Sequence, residues 1–152
     1  MYNGILHLHS GLRWIVLLLM LIVIFRSVTA GQRPFTNTDK RFGSFATIAL
    51  DLMLLIGIYL WITGDWGLKS IQNNGMKNVM SNSILRFFAI EHPVGMLIAI
   101  ILAHLGKIYS KKNIPDTVKH KRTVLFFGLA LLIILITIPW PFRTAGAGRA
   151  WF

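Results

Sequence analysis

Four stretches of about 20 mostly apolar residues dominate this chain, and each is long enough for a helix to cross the hydrocarbon core of a bilayer. They run over residues 5–25, 45–63, 84–105 and 122–139. A chain inside lipid must satisfy its backbone polar groups internally, so stretches of this length are expected to be helices. The connections between them are short, which favours neighbours that run up and down. The fold expected is therefore all-α: an integral membrane antiparallel four-helix bundle, with the whole chain, 1–152, as one transmembrane domain. Pro139 and Pro141 are expected to end the last span, because proline lacks an amide donor and clashes with the preceding turn. Trp14, Trp61, Trp66, Trp140 and Phe142 fit the aromatic belt found where lipid meets water.

Charge gives the bundle an orientation. The chain carries sixteen Lys and Arg against five Asp and Glu, a net charge of +11. On a soluble protein this excess would suggest nucleic acid as a partner. Here 55% of the residues are hydrophobic, the mean hydropathy is +0.62 and the cations stand between apolar runs. They read as membrane-flanking charges, and no nucleic-acid partner is expected. The first connection holds Arg26, Arg33, Lys40 and Arg41. The third holds Lys107, Lys111, Lys112, Lys119, Lys121 and Arg122. The positive-inside rule puts both in the cytoplasm and both termini outside, in the periplasm of a bacterium. The expected location is the bacterial inner (cytoplasmic) membrane, multi-pass. The middle connection, 69–82, reads as an external loop with room for a short interfacial helix. The N-terminus shows no basic region or small-residue cleavage site, so the first span is expected to stay in the membrane. The chain has no cysteine, which excludes disulfides, iron–sulfur clusters and thiolate metal sites.

Ionisable residues inside a membrane are expensive and tend to mark function. This chain places His7, His9, Arg13, Asp51, Glu91, His92 and His104 within or beside its spans. On the expected topology His7, His9 and His92 form an outer group. His104, twelve residues after His92, lies roughly 18 Å further along its helix and forms an inner group with His120. His7 and His9 point about 200° apart around a helix, so only one of them can face a given site. His120 sits among Lys119, Lys121 and Arg122 and reads first as part of a solvated basic loop. Two imidazoles from different helices at one depth suit a b-type haem, whose iron takes one nitrogen from each side. Arg13, one turn after His9, is placed to pair with a haem propionate. Gly11, Gly57, Gly95 and Ala99 are small residues that serve either close helix packing or clearance for a ring. Pro93 is expected to kink the third span beside His92. Asp51 suits a carboxylate that orients a histidine or, with Glu91, a proton relay. The same residues also permit a proton or ion path, or plain polar contacts between helices.

HLHSGLRW near the N-terminus, EHPVGMLIAIILAH in the third span, KHKR before the fourth, and the closing IPWPFR and GRAWF together carry a resemblance over nearly the whole chain. They resemble the small four-span membrane proteins of Bacteroidetes-type bacteria labelled "cytochrome b". That resemblance implies a haem-binding protein of the respiratory or electron-transfer kind. By position it makes His9 or His7, and His92, the ligands, with His104 the next candidate and His120 its only inner partner for a second haem. The function expected is a cytochrome b-like membrane electron-transfer protein with one haem b between spans one and three. Its partners would be the lipid bilayer and quinol, or a larger respiratory complex, with a homodimer also open. Two further readings stand beside it: a non-enzymatic accessory subunit of a larger membrane complex, and a proton-coupled transporter or channel subunit. No Gly-rich phosphate loop, HExxH or Ser-His-Asp arrangement points to a stand-alone enzyme.

Overall fold

The computed structural model describes residues 2–146, so the closing GRAWF lies outside the described residues. Those residues form helices throughout: α1 (Tyr2–Val28), α2 (Asn37–Thr63), α3 (Leu68–Ser81), α4 (Ser83–Arg86), a wide π-turn (Phe87–Glu91), α5 (His92–Lys111) and α6 (Asp116–Thr137). The segments α4, π-turn and α5 run on as one rod, Ser83–Lys111, so four helices are long and apolar enough to cross a membrane. Helix α1 lies beside α2 and α6, and α5 beside the same two. Helices α1 and α5 therefore occupy opposite corners of a four-cornered bundle.

Small residues set how closely the corners approach. The buried stripe of α5 is Gly95, Ala99, Ala103, Gly106 and Ser110, one residue per turn. Stripes of this kind let backbones come together where no water drives association. Against it lie Phe127, Ala130, Ile134 and Thr137 of α6 and its last turn. A Cβ added at Gly95 would stand 2.4 Å from Thr137 Cγ2, and one at Gly106 2.8 Å from the Phe127 ring. Met20, Ala46, Ala99, Phe127 and Ala130 are fully or almost fully buried at the centre. The outward faces are just as apolar: Phe25, Leu55, Ile101 and Ile136 are all more than half exposed. A bundle that is hydrophobic all round suits a lipid surrounding.

The helices outrun the apolar stretches, for a local reason. Helix α2 starts eight residues before its apolar run because Thr36 and Asp39 form a capping box. Thr36 Oγ1 accepts from Asp39 N at 3.4 Å, and Asp39 Oδ2 accepts from Thr36 N at 2.9 Å. This satisfies two amides that the first turn leaves bare. The same carboxylate receives Arg26 Nε at 2.9 Å and Arg33 Nη1 at 2.8 Å, so one buried Asp ties the end of α1 to the start of α2. The middle connection holds the helix for which the sequence left room, and the helix fills nearly all of it. Helix α3 fills Leu68–Ser81 and bends at Gly75, whose φ of 75° favours glycine.

His120 departs from expectation. It is 2% exposed, its Nε2 donates to the Arg33 carbonyl at 3.2 Å, and its ring packs 4.8 Å from Phe35. It is turned away from the basic surface of α6 and pins that helix to the α1–α2 turn. Lys119, Lys121 and Arg122 hid this inward face, because only one residue in three or four of a helix turns inward.

The two glycine environments give opposite expectations. Gly95→Ala should cost about 1–3 kcal/mol by overpacking against Thr137. Gly11→Ala, which meets nothing within 4 Å, should be neutral or stabilising by up to about 1 kcal/mol. Thermal unfolding in detergent, followed by helical circular dichroism, measures both.

Candidate functional site

In a helix the carbonyl of each residue accepts from the amide four residues on. Where that residue is proline there is no hydrogen to give. Pro93 thus leaves the Ala89 carbonyl without its helical donor, and where α6 ends at Thr137, just ahead of Pro139 and Pro141, the last-turn carbonyls of Leu135 and Thr137 have none either. In the structure a ring N–H supplies each one. Trp61 Nε1 donates to Ala89 O at 2.9 Å, Trp140 Nε1 to Leu135 O at 2.9 Å, and His92 Nδ1 to Thr137 O at 2.8 Å. All three bonds sit at the end of the bundle where α1 begins and α6 ends.

Two of these bonds shape the surroundings of His92. Ahead of Pro93 the rod widens into the π-turn, and the His92 amide reaches back five residues to the Phe87 carbonyl. Wide turns of this kind are rare and tend to mark functional positions. Here the turn absorbs the proline, while Trp61 of α2 holds the Ala89 carbonyl exposed by it. The Thr137 bond fixes the imidazole itself. A carbonyl only accepts, so Nδ1 of His92 carries the hydrogen, and in a neutral ring Nε2 keeps its lone pair for another partner. Gly95, one turn along, permits this bond by letting α6 close on α5.

Across the bundle, His9 of α1 faces His92. Their ring centroids are 6.4 Å apart and their planes stand at 73°. His9 Nδ1 is buried and makes no hydrogen bond. Gly57 of α2 borders the His9 ring: a Cβ there would come within 3.4 Å of His9 Cε1. Phe87 lies 6.0 Å from the His92 ring on another side. About one turn deeper, the Arg13 guanidinium sits 5.2 Å from the Trp14 ring and 5.7 Å from that of Trp140. The indoles meet edge to face at 6.1 Å.

The other ionisable residues go elsewhere. His7 is exposed, so of the two N-terminal histidines His9 is the one that turns inward. His104 bonds Asp51 through Nε2 at 2.9 Å on the α2–α5 seam, and His120 bonds the α1–α2 turn. The two inner histidines thus belong to different interfaces. Glu91 is exposed and pairs with Arg86 at 2.7 Å, beside a cavity of about 160 Å³ that Arg143 and Thr144 also line. Asp51 and Glu91 share no contact. Thr137, Trp61 and Gly57 surround the pair and were not singled out as a group by sequence reasoning. The signal for Trp61 was arithmetic: four residues before Pro93 lies a carbonyl in need of a donor.

Two imidazoles bound to one metal at about 2 Å each have ring centres roughly 6 Å apart. The His9–His92 spacing fits that arrangement, and the unpartnered His9 nitrogen is a buried polar atom in want of a partner. Among the described residues no set of three or more His, Cys, Asp or Glu side chains gathers as a metal site. Comparisons with protein-family models, with curated proteins and with solved structures find no match to this chain.

Removing the Trp61 donor should expose what it holds. Trp61→Phe keeps the ring and leaves the Ala89 carbonyl bare, at an expected loss of about 1–3 kcal/mol. Unfolding in detergent reads the loss, and amide hydrogen exchange should rise first across Phe87–Glu91.

Proposed function

We infer that this chain is a multi-pass inner-membrane protein with both termini on the periplasmic side, and that it carries single electrons on one b-type haem held by His9 and His92. The observation that carries this reading is the diagonal histidine pair: two imidazoles from opposite corners, 6.4 Å apart, with the hydrogen of one fixed by a backbone carbonyl. A histidine that ligates a metal commonly donates its other nitrogen to such a carbonyl. The resemblance of HLHSGLRW and EHPVGMLIAIILAH to the small four-span "cytochrome b" proteins points the same way. The orientation rests on the basic residues around the α1–α2 and α5–α6 turns.

Bound there between His9 and His92, haem would supply a one-electron ferric–ferrous couple, which suits electron transfer. The chain's own residues do the rest. The Thr137 carbonyl holds the hydrogen on His92 Nδ1 and so leaves the Nε2 lone pair to bind. The Trp14–Trp140 pair and Phe87 keep the surroundings apolar. Arg13, between the indoles, places a cation near the histidines, where it would favour an anionic substituent of the group. Quinol in the bilayer is the electron donor proposed. The transporter reading has less support, because its two carboxylates lie in separate surroundings.

The test is a redox difference spectrum of the protein purified from cells that make haem. Wild type should show a Soret band and a reduced b-type spectrum. His9→Ala and His92→Ala should each lose it, while His7→Ala and His104→Ala should keep it. A wild-type protein without haem, or a His92→Ala variant with the full spectrum, would sink the reading.

A further inference from the structure

The Asp51–His104 pair takes no part in the histidine site. It lies about 18 Å further along the α5 axis than His92, twelve residues on. The two side chains close one hydrogen bond of 2.9 Å, yet they remain 47% and 40% exposed on the outer side of the α2–α5 seam. One turn nearer the basic end, Lys107 Nζ donates to Thr47 Oγ1 at 3.1 Å across the same seam. The exposed residues one turn either side of the pair are otherwise aliphatic. Ile48 and Leu55 stand three residues before and four after Asp51, and Ile101 and Ile108 stand at the same offsets from His104. Each of the four is half exposed or more.

An ionisable pair turned outward among such residues is costly against hydrocarbon. Its hydrogen bonding is also half complete. Among the described residues, Asp51 Oδ2 and His104 Nδ1 make no hydrogen bond. A carboxylate accepts at both oxygens, and an imidazole protonated at both nitrogens donates twice.

We propose that this seam is the interface of a homodimer, in which Asp51 and His104 of two copies close a ring of four hydrogen bonds. Symmetry selects a second copy as the occupant. A two-fold axis along the bundle sets α2 of one copy against α5 of the other. Because Asp51 and His104 bond each other, they lie at one depth, and the axis brings Asp51 to the second copy's His104 and the reverse. Each residue spends one hydrogen-bonding atom within its own chain and one across the interface. The ring is neutral when both histidines are protonated. The flanking residues match too. Helices α2 and α5 run in opposite directions, so Leu55 meets the second copy's Ile101 on one side of the ring, and Ile48 its Ile108 on the other. This inference stands apart from the haem reading, since neither residue belongs to the His9–His92 site.

The absence of native cysteine makes the test direct. Full-length chains carrying Leu55→Cys and Ile101→Cys, each with its own tag, are co-expressed and oxidised in their membranes. A disulfide between the two tags is expected, and none for the control pair Leu18→Cys with Leu132→Cys on α1 and α6. Asp51→Asn with His104→Gln in both chains should lower the cross-linked fraction about tenfold. Circular dichroism and thermal unfolding in detergent, unchanged, would show that the variants still fold. Equal cross-linking at the control pair, cross-linking indifferent to Asp51 and His104, or single chains counted by photobleaching in lipid nanodiscs would each overturn the proposal. So would a different protein that co-purifies in a one-to-one ratio and blocks the disulfide.

Discussion

The constraint on which this bundle turns is the unpaired backbone carbonyl. In an apolar surrounding an unsatisfied carbonyl has no water to fall back on, and both a proline within a helix and a helix end create them. Pro93 and the end of α6 leave the carbonyls of Ala89, Leu135 and Thr137 bare at one end of the molecule, and an aromatic or imidazole N–H satisfies each. Two of these bonds also join helices. Trp61 ties α2 to the π-turn, and His92 ties α5 to α6. The bare carbonyls therefore act here as sockets, and the ring donors that fill them determine where His92 stands and which of its nitrogens remains open.

Much of the scaffold was legible in the sequence. Apolar length alone located the four long helices, because a helix that must be buried or lipid-facing on every side leaves an unbroken hydrophobic run. What hydropathy missed was polar helix: the capping box at Thr36 and Asp39, the full length of the helix in the middle connection, and the last turns of α1 and α5. Those parts depend on local hydrogen bonding, which the apolar count does not register. The site was legible to a coarser degree. Depth placed His9 and His92 at one level, and the 200° separation of His7 and His9 meant that one had to turn away. Which one did so depended on how α1 is rotated against α2 and α6, a tertiary quantity. His120 shows the opposite hazard, since its basic neighbours described the outer face of α6 and concealed the inner one. The Asp51–His104 bond joins residues 53 positions apart, and no local pattern announces such a partner.

The polar groups divide the bundle into two differently built ends. At the basic end, ions do the tying: Arg26, Arg33 and Asp39 lock the first turn, and His120 fastens α6 to it. At the opposite end, aromatic rings do so, with Trp14, Trp61, Trp140 and Phe87 around the histidine pair.

The diagonal placement of α1 and α5 bears on the order of assembly. The chain is two hairpins in sequence, α1 with α2 and then α5 with α6, and each can close on its own contacts as it leaves the ribosome. Neither hairpin contains both His9 and His92. The pair comes into being only when the two halves dock, so the histidine contact is a marker of completed assembly and any group that bridges it would act as a rivet between halves made at different times.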